Sequence, residues 1–125
     1  MRALLALLLA VPLPALAQDV DCAAPATQAA MTACAGRALD AADAELNDAY
    51  AAAIDLARIG RPGGGLDIRL RDAQRAWIAF RDAACEYEAT RWGGGTGAGP
   101  AAAQCALTLT ARQANQLDGY LREGP

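Results

Sequence analysis

Histidine, lysine and serine are all absent from this sequence of 125 residues. Without histidine or serine, the chain cannot form a Ser-His-Asp triad, a Cys-His pair or a zinc site with imidazole ligands. Without lysine, it forms neither a Schiff base nor a Walker-type phosphate loop. The acidic residues also lack the spacing of a calcium-binding loop. The composition therefore argues against an enzyme, and it predicts no metal or cofactor.

Long apolar runs are missing too, except at the amino terminus. Residues 1–17 combine a basic start, an apolar run over 3–11 and a small-residue cleavage site at 15–17. This layout is typical of a secretory signal peptide, and the run is too short to remain as a membrane span. We expect cleavage after Ala17. Because Gln18 and not a cysteine follows, we expect a periplasmic or secreted protein, not a lipoprotein.

The predicted mature part, residues 18–125, has the size of one domain. It contains ten arginines and fourteen acidic residues, which give a formal net charge of −4. This charge disfavours nucleic acid and anionic membranes, and it favours a basic protein partner. Because no second apolar run is long enough to cross a membrane, we expect no stable membrane insertion. The sequence does not indicate an oligomeric state.

Apolar periodicity predicts three helices separated by two glycine-rich breaks. The helices run from about Thr27 to Ile59, from Leu66 to Arg91 and from Ala102 to Arg122. The breaks lie at 60–65 and at 92–100, where we expect a flexible loop. The apolar stripe of the second helix consists of Leu70, Ala73, Trp77, Phe80, Ala84 and Tyr87. We expect an all-α fold, a small antiparallel three-helix bundle stapled by two disulfides.

The four cysteines all lie in the exported part, and they have no Cys-x-x-Cys spacing. An even number in an oxidising compartment indicates two structural disulfides, of which three pairings exist. In an antiparallel pair of helices, level residues have numbers with a constant sum, here about 190, which sets Cys85 beside Cys105. We therefore favour Cys22–Cys34 with Cys85–Cys105, and peptide mapping would test this choice.

Polar residues interrupt the apolar stripes where the helices face each other. For the first two helices the constant sum is about 124, which sets Asp43 beside Arg81 and Tyr50 beside Gln74. We expect an Asp43–Arg81 ion pair shared with Arg112, and a Tyr50–Gln74 hydrogen bond. A recognition patch is the alternative interpretation. The complete set is Asp43, Asn47, Tyr50, Gln74, Trp77, Arg81 and Arg112.

Two motifs and the cysteines resemble the lysozyme inhibitor LprI-like family. The first motif is Asp-x-x-Leu-Asn-x-x-Tyr at 43–50, and the second is Gln-Arg-x-Trp-x-x-x-Arg at 74–81. The segment from Cys105 to Gln113 also fits the family's pattern. The resemblance implies an exported protein that inhibits lysozyme and has no catalytic residues. We expect such a protein to act by occluding the cleft of the enzyme. The alternative is a structural or adaptor module of the cell envelope that binds another protein.

Two surfaces are candidates for contact with a protein partner, such as a basic lysozyme. The glycine-rich loop, with Gly94, Gly95 and Thr96, could enter a cleft, or it could simply join two helices. Acidic residues such as Asp48 and Asp55 could steer the protein towards a basic enzyme, or they could form an ordinary solvated face.

Overall fold

The computed structural model describes residues 20–124, so the predicted signal peptide lies outside the described residues. Three helices account for the fold: α1 (Gln28–Gly60), α2 (Leu66–Arg91) and α3 (Ala98–Glu123). The described part of the chain contains no strand, and the prediction of an all-α fold is confirmed. None of these helices combines the length and apolar character that crossing a bilayer requires.

The helix ends follow from local chemistry. The Thr27 hydroxyl accepts a hydrogen bond from the backbone N–H of Ala30 at 3.1 Å, and so satisfies one of the free amides at the start of α1. The turn between α1 and α2 contains Gly63 and Gly65 at φ of 75° and 67°, a left-handed conformation that side chains disfavour. These signals place α1 and α2 close to their predicted bounds.

The start of α3 differs from the prediction. The helix begins at Ala98, four residues before the predicted start at Ala102, and it includes Gly99 and Pro100. Proline is compatible with a first turn, because the amides there have no partner within the helix. The predicted loop over 92–100 is therefore shortened to residues 92–97.

Consecutive helices run antiparallel. Asp43 of α1 contacts Arg81 of α2. Further along α1, Arg58 contacts Asp67, which lies earlier on α2, so the two helices run in opposite directions. The same order holds between α2 and α3, where Cys85 bonds to Cys105 and Gln74 to Gln113. Since α1 and α3 are both antiparallel to α2, they run parallel to each other. Their mutual interface is the most extensive, and α2 packs mainly on α3.

The core is small and rich in alanine. Leu46, Ala49 and Ala53 of α1 pack against Ala114 and Leu117 of α3, and Leu117 is fully buried. Alanines allow close approach of the two helices, but each buries little apolar area, at about 25 cal/mol per Å². A core of this kind gains stability from covalent cross-links.

Both disulfides have the favoured local pairing. Cys22–Cys34 ties the segment before α1 to the first turns of that helix, and Cys85–Cys105 joins the second half of α2 to the first half of α3. The prediction of two staples is confirmed. Both lie towards the end of the bundle that carries the 92–97 loop, where one fastens the leading segment to α1 and the other joins α2 to α3.

The predicted apolar stripe of α2 is only partly correct. Trp77 packs against the core, but Phe80 and Tyr87 are 59% and 65% exposed. The side chains that α2 buries most are those of Gln74 and Cys85. The buried face is rotated from the stripe, because polar groups on it find hydrogen-bond partners inside the bundle.

Candidate functional site

One guanidinium connects all three helices. Arg81 of α2 donates from Nη1 to Asp43 Oδ1 of α1 and to Thr110 Oγ1 of α3, at 3.3 Å in each case. Its Nε also donates to the neighbouring Asp82 at 3.0 Å. Its Cζ lies 5.2 Å from the centre of the Trp77 ring, within the range of a cation–π contact. The Arg81 side chain is only 19% exposed.

A second polar contact lies further along the α2–α3 interface. Gln113 Nε2 donates to Oε1 of the buried Gln74 at 2.9 Å. Within residues 20–124, every buried side-chain nitrogen and oxygen has a hydrogen-bond partner. The two contacts therefore form a satisfied polar network inside the bundle.

This network includes some of the predicted residues and leaves others out. The Asp43–Arg81 pair is present, but Arg112 is exposed, and Thr110 takes the place that Arg112 was expected to share. The expected Tyr50–Gln74 hydrogen bond does not occur among the described residues, since Gln74 pairs with Gln113.

Two other residues of the predicted polar set, Tyr50 and Asn47, differ in their surroundings. Tyr50 is half-buried and packs against the apolar core, whereas Asn47 is exposed. The rotation of α2 explains the missing Tyr50 hydrogen bond, because Gln74 pairs with Gln113 of α3 instead. The sequence did not predict the role of Thr110, because a single threonine in a helix does not indicate which residue it hydrogen-bonds to.

The loop over residues 92–97 is shaped by backbone hydrogen bonds. The Gly95 amide donates to the Trp92 carbonyl at 3.1 Å, and the Ala98 amide donates to the Gly95 carbonyl at 3.0 Å. Gly94 has a φ of 73°, where glycine is favoured. The Trp92 ring lies so close to Gly97 that a Cβ there would be 2.6 Å from Cε3. The expected contact residues Gly94, Gly95 and Thr96 are all exposed.

The acidic candidates lie on α1. Asp48 and Asp55 are both exposed, and Asp55 accepts from Arg58 at 3.0 Å. Asp48 belongs to none of the ion pairs found within the described residues. By the register of the helices, Asp55 lies level with residue 69 of α2, roughly 30 Å along the axis from the 92–97 loop. The two candidate surfaces are therefore separate.

An aromatic groove was not predicted from the sequence. It lies between the second half of α2 and the first half of α3, has a volume of about 570 Å³, and contains Phe80, Tyr87 and Trp92 on its walls. Each of these side chains is at least 59% exposed. Exposed apolar surface of this kind marks binding sites more often than chance. The aromatic residues are evident in the sequence, but the predicted apolar stripe of α2 placed Phe80 and Tyr87 in the core.

Within residues 20–124, no group of three or more Cys, Asp or Glu side chains is arranged to hold a metal ion. The structure provides three candidate surfaces: a hydrogen-bonded loop, an acidic helix face and an aromatic groove. These are features with which a protein binds another molecule.

Comparison with known proteins assigns the chain to a family. A family model described as lysozyme inhibitor LprI matches residues 21–117. An uncharacterised protein of Rhizobium meliloti (strain 1021) is 33% identical over 123 residues, which cover 90% of this chain and 88% of that protein. No solved structure matches the chain significantly. The match of the family model over most of the sequence shows that this chain belongs to the lysozyme inhibitor LprI family.

Proposed function

We propose that the protein is exported and inhibits lysozyme by covering its cleft, without catalysis. The observation that carries this proposal is the family match over residues 21–117. Two disulfides support a location outside the cytoplasm, because such bonds persist in oxidising compartments. In this proposal residues 1–17 are removed on export, and residues 18–125 form the inhibitor.

The charge of the protein supports a basic target. The proposed mature chain has a net charge of −4, and the acidic side chains at Asp40, Glu45 and Asp48 are exposed on α1. Complementary charge raises the association rate of two proteins more than it raises their final affinity. We expect this face to attract a basic lysozyme, while close contacts elsewhere determine how long the complex lasts.

The 92–97 loop is the segment proposed to reach into the cleft. Residues 92–96 are all exposed, and the Cys85–Cys105 bond joins the two helices that the loop connects. Its internal hydrogen bonds reduce the number of conformations that binding must restrict, and so lower the entropic cost. The Thr96 hydroxyl would then be available to hydrogen-bond in a site built for polar ligands.

The proposal is tested with a c-type lysozyme in a cell-wall lysis assay. Purified residues 18–125 with both disulfides intact should slow lysis at micromolar concentration. Asp48→Asn should lower the association rate and its salt dependence, while Thr96→Ala should raise the dissociation rate. Asp72→Asn is the matched control, because Asp72 is exposed on α2 and already paired with Arg75 at 3.2 Å.

The outcomes are separable. Failure to slow lysis at micromolar excess, with the disulfides verified by mass, would refute inhibition of that lysozyme class. Inhibition that Thr96→Ala and Asp48→Asn leave unchanged would retain the function and refute the proposed contact surfaces.

A further inference from the structure

The aromatic groove has the composition of a ligand site. Besides Phe80, Tyr87 and Trp92, its lining includes three polar side chains, those of Glu88, Gln104 and Thr108. Sites for small ligands are typically apolar and aromatic, with a few polar groups that fix orientation. The volume of about 570 Å³ falls within the usual range of such sites, roughly 300–1,000 Å³.

Charge limits what this groove can bind. Its one charged lining residue, Glu88, accepts from Arg91 at 3.1 Å, so the groove presents little net charge. A phosphorylated ligand or a strongly basic peptide would find no complementary charge there. An uncharged ligand matches it better, provided that the ligand has apolar faces for the rings and hydroxyl groups for the polar side chains.

Size argues against a second copy of the chain as the occupant. A stable protein interface uses about 20–30 residues on each side. Ten residues of α2, of α3 and of the turn at Trp92 line the groove, which is fewer than such an interface uses. A chain-like ligand therefore fits this groove better than a broad protein surface does.

The spacing of two of the rings along α2 points to a class of ligand. Phe80 and Tyr87 are seven residues apart on α2, so they lie on the same side of the helix and about 10.5 Å apart along its axis. A β-1,4-linked glycan presents the same face at every second sugar, and its disaccharide repeat is close to that distance. Sugar C–H groups stack favourably on aromatic faces, because the face of a ring is electron-rich.

We propose that this groove binds an uncharged β-1,4-linked glycan chain. Phe80 and Tyr87 stack on alternate sugars, and Trp92 extends the row of rings past the end of α2. Gln104 Nε2 and Thr108 Oγ1 are 3.4 Å apart, a long hydrogen bond that can be exchanged for one to a sugar hydroxyl. This binding is separate from lysozyme inhibition and does not rest on it.

The test uses chitohexaose and cellohexaose as soluble probes, which differ in the acetamido group of each sugar. Each is titrated into the disulfide-intact protein by calorimetry, with ¹⁵N NMR to locate the contact. Binding of either probe, with shifts confined to the groove, supports the proposal. The Phe80→Ala/Tyr87→Ala variant should bind at least about tenfold more weakly. Ile68→Ala is the control, since Ile68 is also 59% exposed but lies in the first turn of α2, away from the groove.

Two results would overturn the proposal. One is the absence of binding of both hexaoses at millimolar concentration to a protein shown by circular dichroism to be folded. The other is a Phe80→Ala/Tyr87→Ala variant that binds glycan normally but loses lysozyme inhibition, which would make the groove a protein contact. Loss of lysozyme inhibition by the Thr96→Ala variant alone would concern the proposed function and leave glycan binding intact.

Discussion

Replacing Arg81 by alanine tests whether the family motif acts through stability. The substitution removes the donor that reaches Asp43 on α1 and Thr110 on α3, together with the cation that lies over Trp77. Thr110 is fully buried, so its hydroxyl oxygen would lose its partner in a place that water does not reach. The variant should therefore fold less stably because all three helices lose a shared contact.

The expected magnitude comes mainly from Thr110. A buried hydroxyl that loses its partner costs about 1–3 kcal/mol. The Asp43 side chain is 42% exposed, so its pair with Arg81 contributes only about 0–1 kcal/mol after solvent screening. The contact with Trp77 adds about 0.5–1 kcal/mol. We expect a loss of about 1.5–5 kcal/mol, which at about 4–8 °C per kcal/mol lowers the Tm by about 6 °C or more for a domain of this size.

Urea and thermal unfolding followed by circular dichroism measure this loss. Arg75→Ala is the matched control, because Arg75 is on the same helix but pairs with Asp72 at the surface, where both side chains are mostly exposed. It should cost less than about 0.5 kcal/mol. Thr110→Val in the Arg81→Ala background should recover part of the stability, since the unpaired hydroxyl is removed. Equal losses for Arg81→Ala and Arg75→Ala would refute this account.

Two further substitutions test other contacts. Gln113→Ala leaves the buried amide of Gln74 without its partner and should cost about 1–3 kcal/mol in urea unfolding, whereas leucine at both positions should be nearly neutral; a neutral Gln113→Ala would contradict the pairing. Gly97→Ala places a Cβ against the Trp92 ring and should shift the Trp92 indole NMR signal with little loss of stability. Gly36→Ala, where the added Cβ meets nothing within 4 Å, should leave that signal unchanged and stabilise α1 by roughly 0.5–1 kcal/mol.

The order and register of the helices could be predicted because both follow from local signals. Glycine-rich breaks ended the periodic segments, and a constant sum of residue numbers placed Asp43 beside Arg81 and Cys85 beside Cys105. Antiparallel helices joined by short connections leave little freedom along their axes. The rotation of each helix about its own axis could not be predicted in this way, because the connections do not restrict it.

The rotation of α2 shows where sequence reasoning failed. Its apolar stripe predicts that Phe80 and Tyr87 face inwards, yet the helix buries Gln74 and partly buries Arg81. Apolar periodicity treats buried polar residues as unfavourable, but here each one pairs with a group on another helix, so the penalty for burial is offset. Such partners are distant in the sequence, and no single segment reveals them.

The same rotation separates the part of the chain that determines the fold from the surface available for binding. Arg81 contacts the motif residues Asp43 and Trp77 and also Thr110 within the bundle, so its own side chain, which is 19% exposed, has limited surface with which to meet a partner. Because Gln74 and Arg81 occupy the inner face of α2, Phe80 and Tyr87 are left on the outside. The motif thus determines the fold, while the target depends on the side chains that the fold exposes. The choice of ligand must therefore be tested in the groove and the loop, and stability must be tested at Arg81.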